Sequence, residues 1–255
     1  MNYDIEFRYP NVIDFFGTTL FHICHFTEID LLNYKDYDNY NEKNLEVSVE
    51  NLSHYLHETL ERYDEKDHQD IYESYGWDFN RLESIYTSIH RKAMIITLYN
   101  FFEHQIKTLC LEVDKLIFQD CSSYFNKDCL KDYRRFLKKE ANFDFKMINT
   151  LWDDMISIKL VRNTLVHSEG EIKNEKSNNL KTIKHYCKKK DNIRLISNRI
   201  IIDKVFVHNL LNEMLKLFDL LEKEVMAFIR RYEDKHGRFE VTLPDGASKT
   251  PFHLA

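Results

Sequence analysis

An arginine and a histidine lie five positions apart near the middle of the chain, in the segment VRNTLVHSEGEIK (residues 161–173). Arg162 is followed directly by Asn163, and His167 comes just before a Ser-Glu-Gly step. Histidine transfers protons near neutral pH, and the guanidinium of arginine presents a fork of N–H donors to an anion. The two residues therefore either contribute to an active site or are simply polar groups at the surface.

The spacing of Arg162 and His167 determines whether one chain can bring them together. On a regular α-helix, five residues turn the side-chain direction by roughly 140°, so the two side chains do not share a face. They share one only if the helix bends or ends between them. The following Ser168, Glu169 and Gly170 favour an end near this point, because glycine is typical of the position just after a helix. The sequence therefore predicts that His167 lies close to a helix C-terminus.

The composition indicates an all-α protein. The chain has 255 residues, of which 43% are hydrophobic and 14% aromatic, so it can bury a sizeable core. It contains only 5 Gly and 3 Pro, too few for the frequent turns of a sheet-rich fold. The net charge of −6 differs from that of a basic nucleic-acid coat protein. Any contact with RNA therefore requires a local positive patch.

Hydrophobic periodicity predicts where the elements lie. The runs on either side of Ser197-Asn198 predict a short β-hairpin over residues 193–202, and Asp203 is placed to cap the helix that follows. The segment with apolar residues around most of its circumference, residues 81–118, predicts a central, buried helix. Helical spacing also marks residues 12–32, 45–63, 128–139, 146–167 and 204–232.

Polar stretches separate these predicted helices. Residues 36–44 (DYDNYNEKN) consist of polar, turn-forming residues and predict a loop. The lysine-rich residues 173–190 predict a connector between the segment that contains His167 and the hairpin. Its last three residues, Lys188, Lys189 and Lys190, form a charge run that is either a solvated surface or a patch that attracts RNA.

Several common kinds of site are missing from the sequence. We find no glycine-rich phosphate loop, no nucleophile elbow and no zinc-type histidine pair, so we expect neither a cofactor nor a metal ion. His22, Cys24 and His25 are close in sequence, but on a helix they point in different directions. No run of about 18 apolar residues predicts a membrane span. The five irregularly spaced cysteines are typical of reduced thiols in the cytoplasm.

Two segments resemble the HEPN superfamily of helical nucleotide-binding and ribonuclease domains. RNTLVH, residues 162–167, is similar to the family's Arg-x4-His motif, and ITLYNFFEHQIKTLC, residues 96–110, is similar to its central helix. The resemblance covers about residues 81–232 and implies a HEPN-type helical bundle with a short β-hairpin before the last long helix. Residues 1–80 are then an N-terminal helical extension whose role the sequence does not show, and residues 233–255 a C-terminal tail.

The resemblance also implies a set of site residues. Arg162, Asn163 and His167 match the motif positions and would be catalytic, and Glu103 would support them from the facing helix. The implied activity is metal-independent endoribonuclease chemistry, in which the 2′-hydroxyl of RNA attacks the adjacent phosphorus. The implied setting is bacterial antiviral defence or toxin-mediated growth arrest. Gly170 stands where some toxins of the family have a tyrosine, which argues against that type of modified toxin–antitoxin pair.

The partners expected from this interpretation are RNA and a second copy of the chain. One Arg162 and one His167 offer a single proton-transfer group, whereas acid and base catalysis together need two. A two-fold homodimer would place two copies of the pair in one cleft. An antitoxin or another defence-system protein is a further expected partner, and a membrane is not. The alternatives are a non-catalytic HEPN-type module that binds a nucleotide or a protein, and a regulatory subunit of a larger defence complex.

Overall fold

The computed structural model describes residues 12–117, 130–172 and 178–239. Cys121 and Cys129, and residues 240–255 of the predicted tail, lie outside the described residues. The predicted all-α fold is confirmed, and the only strands within the described ranges form a two-stranded hairpin before the last long helix. The helices are α1 Thr19–Leu60, α2 His68–Asn80, α3 Thr87–Ile117, α4 Leu130–Lys139, α5 Asn149–Ser168, α6 Asn178–Lys189 and α7 Lys204–His236, and the strands are β1 Ile193–Ile196 and β2 Arg199–Ile202.

Helix α3 is the centre of the molecule, as its apolar sequence predicts. Its side chains contact helices on several sides, and α1, α4, α5 and α7 all pack against it. Phe102, for example, is fully buried and forms edge-on ring contacts with Trp152 of α5 and Phe218 of α7. Such aromatic pairs each add about 0.5–1.5 kcal/mol to the effect of burial. The core therefore fixes α5, which carries Arg162 and His167, against α3.

The loop predicted at residues 36–44 is wrong. Helix α1 runs without interruption through this stretch. The physical reason is that Asp38 and Glu42, one helical turn apart, are buried against α3. Asp38 is hydrogen-bonded to Nε2 of His90 at 2.9 Å, and both oxygens of Glu42 accept hydrogen bonds from Arg91 at 2.7 and 2.9 Å. The polar residues that predict a loop in the sequence thus form the polar contacts between α1 and α3.

The N-terminal region shares one hydrophobic core with the rest of the described chain. Leu20, Ile23 and Leu31 of α1 belong to the same buried cluster as the side chains of α3 and α7. The boundary expected at residues 80 and 81 falls where α2 passes directly into a π-helical segment, Arg81–Tyr86, and then into α3. Helical backbone therefore continues from α2 to the end of α3, and α1 packs along α7 and α3.

The hairpin and the segment after α5 hold each other in place. Ser197 and Asn198 have φ values of 47° and 62°, the two left-handed residues typical of a tight hairpin turn, so the predicted hairpin is confirmed. Ile200 donates its N–H to the carbonyl of Gly170 at 2.9 Å, and Ile172 donates to the carbonyl of Asn198 at 2.9 Å. The hairpin thus fixes the chain directly after the C-terminus of α5.

The predicted connector at residues 173–190 is only partly correct. Residues 178–189 form α6, which buries Leu180, Ile183 and Tyr186. These positions recur every three residues and give the segment an apolar stripe, despite its many lysines. The capping position predicted for Asp203 is confirmed, although its side chain forms an ion pair with Arg194 at 3.0 Å and does not cap the helix. No helix in the described ranges is both long enough and apolar enough to cross a bilayer.

Gly170 offers a test of the end of α5. Its φ of +89° is unfavourable for a residue with a side chain, and an added Cβ would lie 3.2 Å from Cδ2 of Leu165. We expect Gly170→Ala to lower the free energy of unfolding by about 1–3 kcal/mol in urea denaturation followed by circular dichroism.

Gly76 provides the matched control for Gly170. It lies inside α2, and an added Cβ would meet no atom within 4 Å. Gly76→Ala should therefore raise the free energy of unfolding by about 0.5–1 kcal/mol, because alanine is the better helix former. Equal effects of the two substitutions would contradict the strained backbone assigned to Gly170.

Candidate functional site

Arg162 lies on the side of α5 that faces α3, and its guanidinium is held by two amides. Its Nε and Nη2 donate hydrogen bonds to Oδ1 of Asn100 at 3.0 and 2.5 Å, and its Nη1 donates to Oδ1 of Asn163 at 2.8 Å. The guanidinium carbon also lies 5.8 Å from the centre of the Tyr99 ring, within the range of a cation–π contact. In the structure Asn163 therefore binds the guanidinium of its neighbour Arg162.

Asn100 is a residue that the sequence analysis missed. It belongs to α3 and binds the arginine from 62 positions away in sequence. Its amide oxygen accepts two hydrogen bonds from one guanidinium, which fixes the direction of that group. The signal available in the sequence was weak: Asn100 interrupts the apolar band three positions before Glu103, and residues three apart share a helix face.

Glu103 lies next to this group but does not contact Arg162 directly. Its Oε1 accepts hydrogen bonds from the hydroxyl of Tyr99 at 3.0 Å and from Nζ of Lys159 at 3.0 Å. The ring of Tyr99 therefore lies under Arg162 while its hydroxyl binds Glu103. Lys159 neutralises the carboxylate, so Glu103 supports the position of Tyr99 and leaves the charge of Arg162 uncompensated.

His167 is separate from this group within one chain. Helix α5 does not end between Arg162 and His167, and it continues to Ser168 before Glu169 adopts the left-handed conformation. The expected position near a helix C-terminus is confirmed, and the two side chains point in directions roughly 140° apart. His167 is exposed, and within the described ranges it forms no hydrogen bond or ion pair.

Two of the three lysines predicted to bind RNA are engaged in ion pairs. Nζ of Lys189 lies 2.7 Å from Oδ1 of Asp154, and Nζ of Lys190 lies 3.2 Å from Oδ2 of the same residue and also contacts Glu213. Burial lowers the pKa of Lys190, but the hydrogen bonds and charges of Glu213 and Asp154 outweigh burial and raise it above its usual value. Lys188 is exposed and, among described residues, forms no such pair. The lysine run thus mainly anchors the end of α6 to α5 and α7.

Comparison with known proteins found no relative of this chain. No family model matches the chain, and neither a curated protein nor a solved structure matches it. The residues of the site provide a fixed guanidinium, two neutral amides beside it, and an exposed imidazole near the end of the same helix.

The role of Lys189 and Lys190 can be tested through their shared partner. Asp154 is 6% exposed, so it depends on the two ammonium groups for compensation of its charge. We expect Asp154→Asn to lower the free energy of unfolding by about 1–3 kcal/mol, since it removes charge-assisted hydrogen bonds. Thermal and urea unfolding measure the change.

Lys188→Ala is the matched control for Asp154→Asn. Its side chain is exposed at the end of α6, next to Lys189, so we expect a change within about 0.5 kcal/mol. If Asp154→Asn were as harmless as Lys188→Ala, the ion pairs would not anchor α6. The two lysines would then be available for other partners.

Proposed function

We propose that the chain is a metal-independent endoribonuclease that acts as a homodimer, in bacterial antiviral defence or toxin-mediated growth arrest. The observation that carries this proposal is the state of Arg162. Its guanidinium is held in a fixed direction by Asn100 and Asn163, and both partners are uncharged. Among the described residues, no carboxylate lies within ion-pair distance of it. A fixed and uncompensated cation next to an exposed surface is what binding of a phosphate requires.

The hydrogen-bond donors of Arg162 are divided in a way that suits a phosphate. Three of its five N–H groups point to amide oxygens: the one on Nε, one on Nη1 and one on Nη2. Each terminal nitrogen retains one further N–H group. Those two groups can donate to the oxygens of a phosphate. In the reaction they would stabilise the negative charge on the pentacoordinate phosphorus.

His167 supplies the proton transfer in this proposal. Its exposed imidazole would remove the proton from the 2′-hydroxyl, whose oxygen then attacks the adjacent phosphorus. The bond from phosphorus to the 5′-oxygen breaks, and a second imidazole protonates the leaving oxygen. The products are a 2′,3′-cyclic phosphate and a free 5′-hydroxyl. Neither step uses a metal ion or a cofactor.

A dimer would supply the second imidazole, and it would allow Arg162 of one chain to act with His167 of the other. In one chain Arg162 and His167 point roughly 140° apart, so an RNA backbone cannot contact both at one phosphate. The end of α5 offers an apolar surface for association: Val166, next to His167, is 46% exposed, and Ile196 on the hairpin is 53% exposed. Pairing through this end would bury both side chains. It would also place His167 of each chain near Arg162 of its partner.

The same separation within one chain is what a non-catalytic module would show. In that alternative, Arg162 binds the phosphate of a nucleotide, and His167 has no part in chemistry. The chain could equally serve as a regulatory subunit of a larger defence complex. The nuclease and the non-catalytic module predict different effects of substitutions at Arg162 and His167.

Arg162→Ala and His167→Ala should each reduce RNA cleavage at least 100-fold, because each removes a group that acts in the transition state. Cleavage of mixed cellular RNA by the purified wild type should persist in EDTA. Its products should carry 2′,3′-cyclic phosphate or 3′-phosphate together with 5′-hydroxyl ends. Circular dichroism should show unchanged helix content for both variants, since neither side chain is in the core.

His104→Ala is the matched control, because His104 is also exposed and lies on α3, within residues 96–110. It should retain wild-type cleavage. Cleavage that leaves 5′-phosphates, or that chelation abolishes, would refute the mechanism. Loss of phosphate binding in Arg162→Ala, with no cleavage by the wild type and no effect of His167→Ala, would favour the non-catalytic module.

The homodimer can be disrupted at the surface beside His167. Val166→Lys should convert a dimer into a monomer in sedimentation velocity, because burying an unpaired ammonium is costly. Cleavage should fall in parallel, although Arg162 and His167 are both intact. Met147→Lys, just before the first residue of α5 and also exposed, is the control and should remain dimeric and active. A monomeric wild type that cuts RNA at full rate would refute the shared site.

A further inference from the structure

The contact between α1 and α3 contains more negative charge than its permanent cations compensate. Asp38 is 3% exposed and Glu42 is 9% exposed. Among the described residues, Arg91 is the only permanent cation that contacts either of them. Two further ion pairs beside them, Lys204 with Glu46 and Arg194 with Asp203, are internally neutral. Two buried carboxylates thus face one permanent positive charge, and the partner of Asp38 is the imidazole of His90.

We propose that Asp38, Glu42 and His90 bind a first-row divalent metal ion. Each of the three offers one ligand atom, and these atoms all lie within 4.8 Å of one another. Two carboxylate oxygens and one imidazole nitrogen form a donor set that suits Zn²⁺ or Mn²⁺. The positive charge of such an ion would compensate the one negative charge that Arg91 leaves unbalanced.

The backbone already presents the three ligands toward one point. Asp38 and Glu42 are one turn apart on the same face of α1, and His90 approaches from α3 with its Nε2 2.9 Å from Oδ1 of Asp38. Metal bonds of about 2.0–2.2 Å place two ligand atoms at most about 4.4 Å apart. A movement of the side chains toward one another would bring the three atoms, which lie within 4.8 Å, to this spacing.

Arg91 does not block Glu42 as a ligand. Its Nε and Nη2 bind the two carboxylate oxygens, and each of those oxygens retains a second lone pair. With a metal bound, Arg91 would serve as the hydrogen-bonding partner that orients the ligand.

An open cavity gives the metal ion access and room for water ligands. It has a volume of about 420 Å³ and is lined by Asp38 and Glu42 on one side and by His208 of α7 on another. Three protein ligands leave at least one coordination position, which water entering through this cavity would fill. The cavity thus connects the carboxylates of Asp38 and Glu42 to solvent, and Lys43 and Lys204 also line it.

This site is distinct from the proposed ribonuclease site. His90 and Asn100 lie ten residues apart on α3, which corresponds to about 15 Å along the helix. Removal of the metal ion should therefore lower stability and leave the group around Arg162 in place. The ribonuclease proposal and the metal proposal consequently succeed or fail in separate measurements.

The test is titration of the tag-free full chain with Zn²⁺ and with Mn²⁺, by isothermal calorimetry and by thermal unfolding. We expect one ion per chain and a rise in Tm, with Mg²⁺ binding much more weakly because it prefers oxygen ligands. Asp38→Asn and His90→Gln should each weaken binding at least tenfold. Comparing Tm with and without metal for each variant removes any loss of stability that the substitution itself causes.

His54→Gln is the matched control, since His54 is an exposed histidine of α1 that lies 3.7 Å from Glu58. It should bind metal like the wild type. A measurement on the wild type alone covers the case in which the variants do not fold: Mn²⁺ should selectively broaden the NMR signals of the His90 imidazole. Absence of binding, broadening confined to other histidines, or unchanged binding by His90→Gln would overturn the proposal.

Discussion

The arrangement of the molecule depends on a polar contact inside an otherwise apolar interface. Helices α1 and α3 are long and pack along each other, and apolar side chains alone leave the sliding of one helix on the other weakly defined. Asp38 paired with His90, and Glu42 paired with Arg91, define it: consecutive residues on α3 meet residues one turn apart on α1. A shift by one turn would break both pairs and leave carboxylates buried without partners, at a cost of several kcal/mol. Because α3 also carries Asn100 and Glu103, this contact sets the position of the groups around Arg162 as well.

Local patterns account for the parts of the fold that the sequence predicts correctly. The apolar band of α3, the alternation around Ser197 and Asn198, and the exit from α5 at Gly170 are all visible within a few residues. The stretch at 36–44 is different, because the residues that keep it helical, His90 and Arg91, lie about 50 positions further along the chain. No window of neighbouring residues contains that information. A loop would not place Asp38 and Glu42 on one helix face, so the sequence does not predict their arrangement.

The same distinction separates the predicted and the unpredicted parts of the candidate site. Arg162, Asn163 and His167 stand out because they are close in sequence and chemically distinctive. Asn100 does not, since its role depends on the packing of α3 against α5 across 62 positions. The lysine run is the opposite case, because the sequence predicts unpaired charges that the structure pairs. Lys189 and Lys190 look like a free cationic patch in the sequence, whereas their partners Asp154 and Glu213 come from two other helices.

The neutral amides around Arg162 have an evolutionary consequence. An asparagine codon becomes an aspartate codon by a single base change, and the two side chains have nearly the same shape. At Asn100 that change would keep both hydrogen bonds from the guanidinium and add a full negative charge at 2.5 Å from Nη2. The arginine would then be paired internally and lose its attraction for anions, while the fold would remain. If the proposed function holds, this single mutational step would abolish phosphate binding by Arg162 and leave the protein folded.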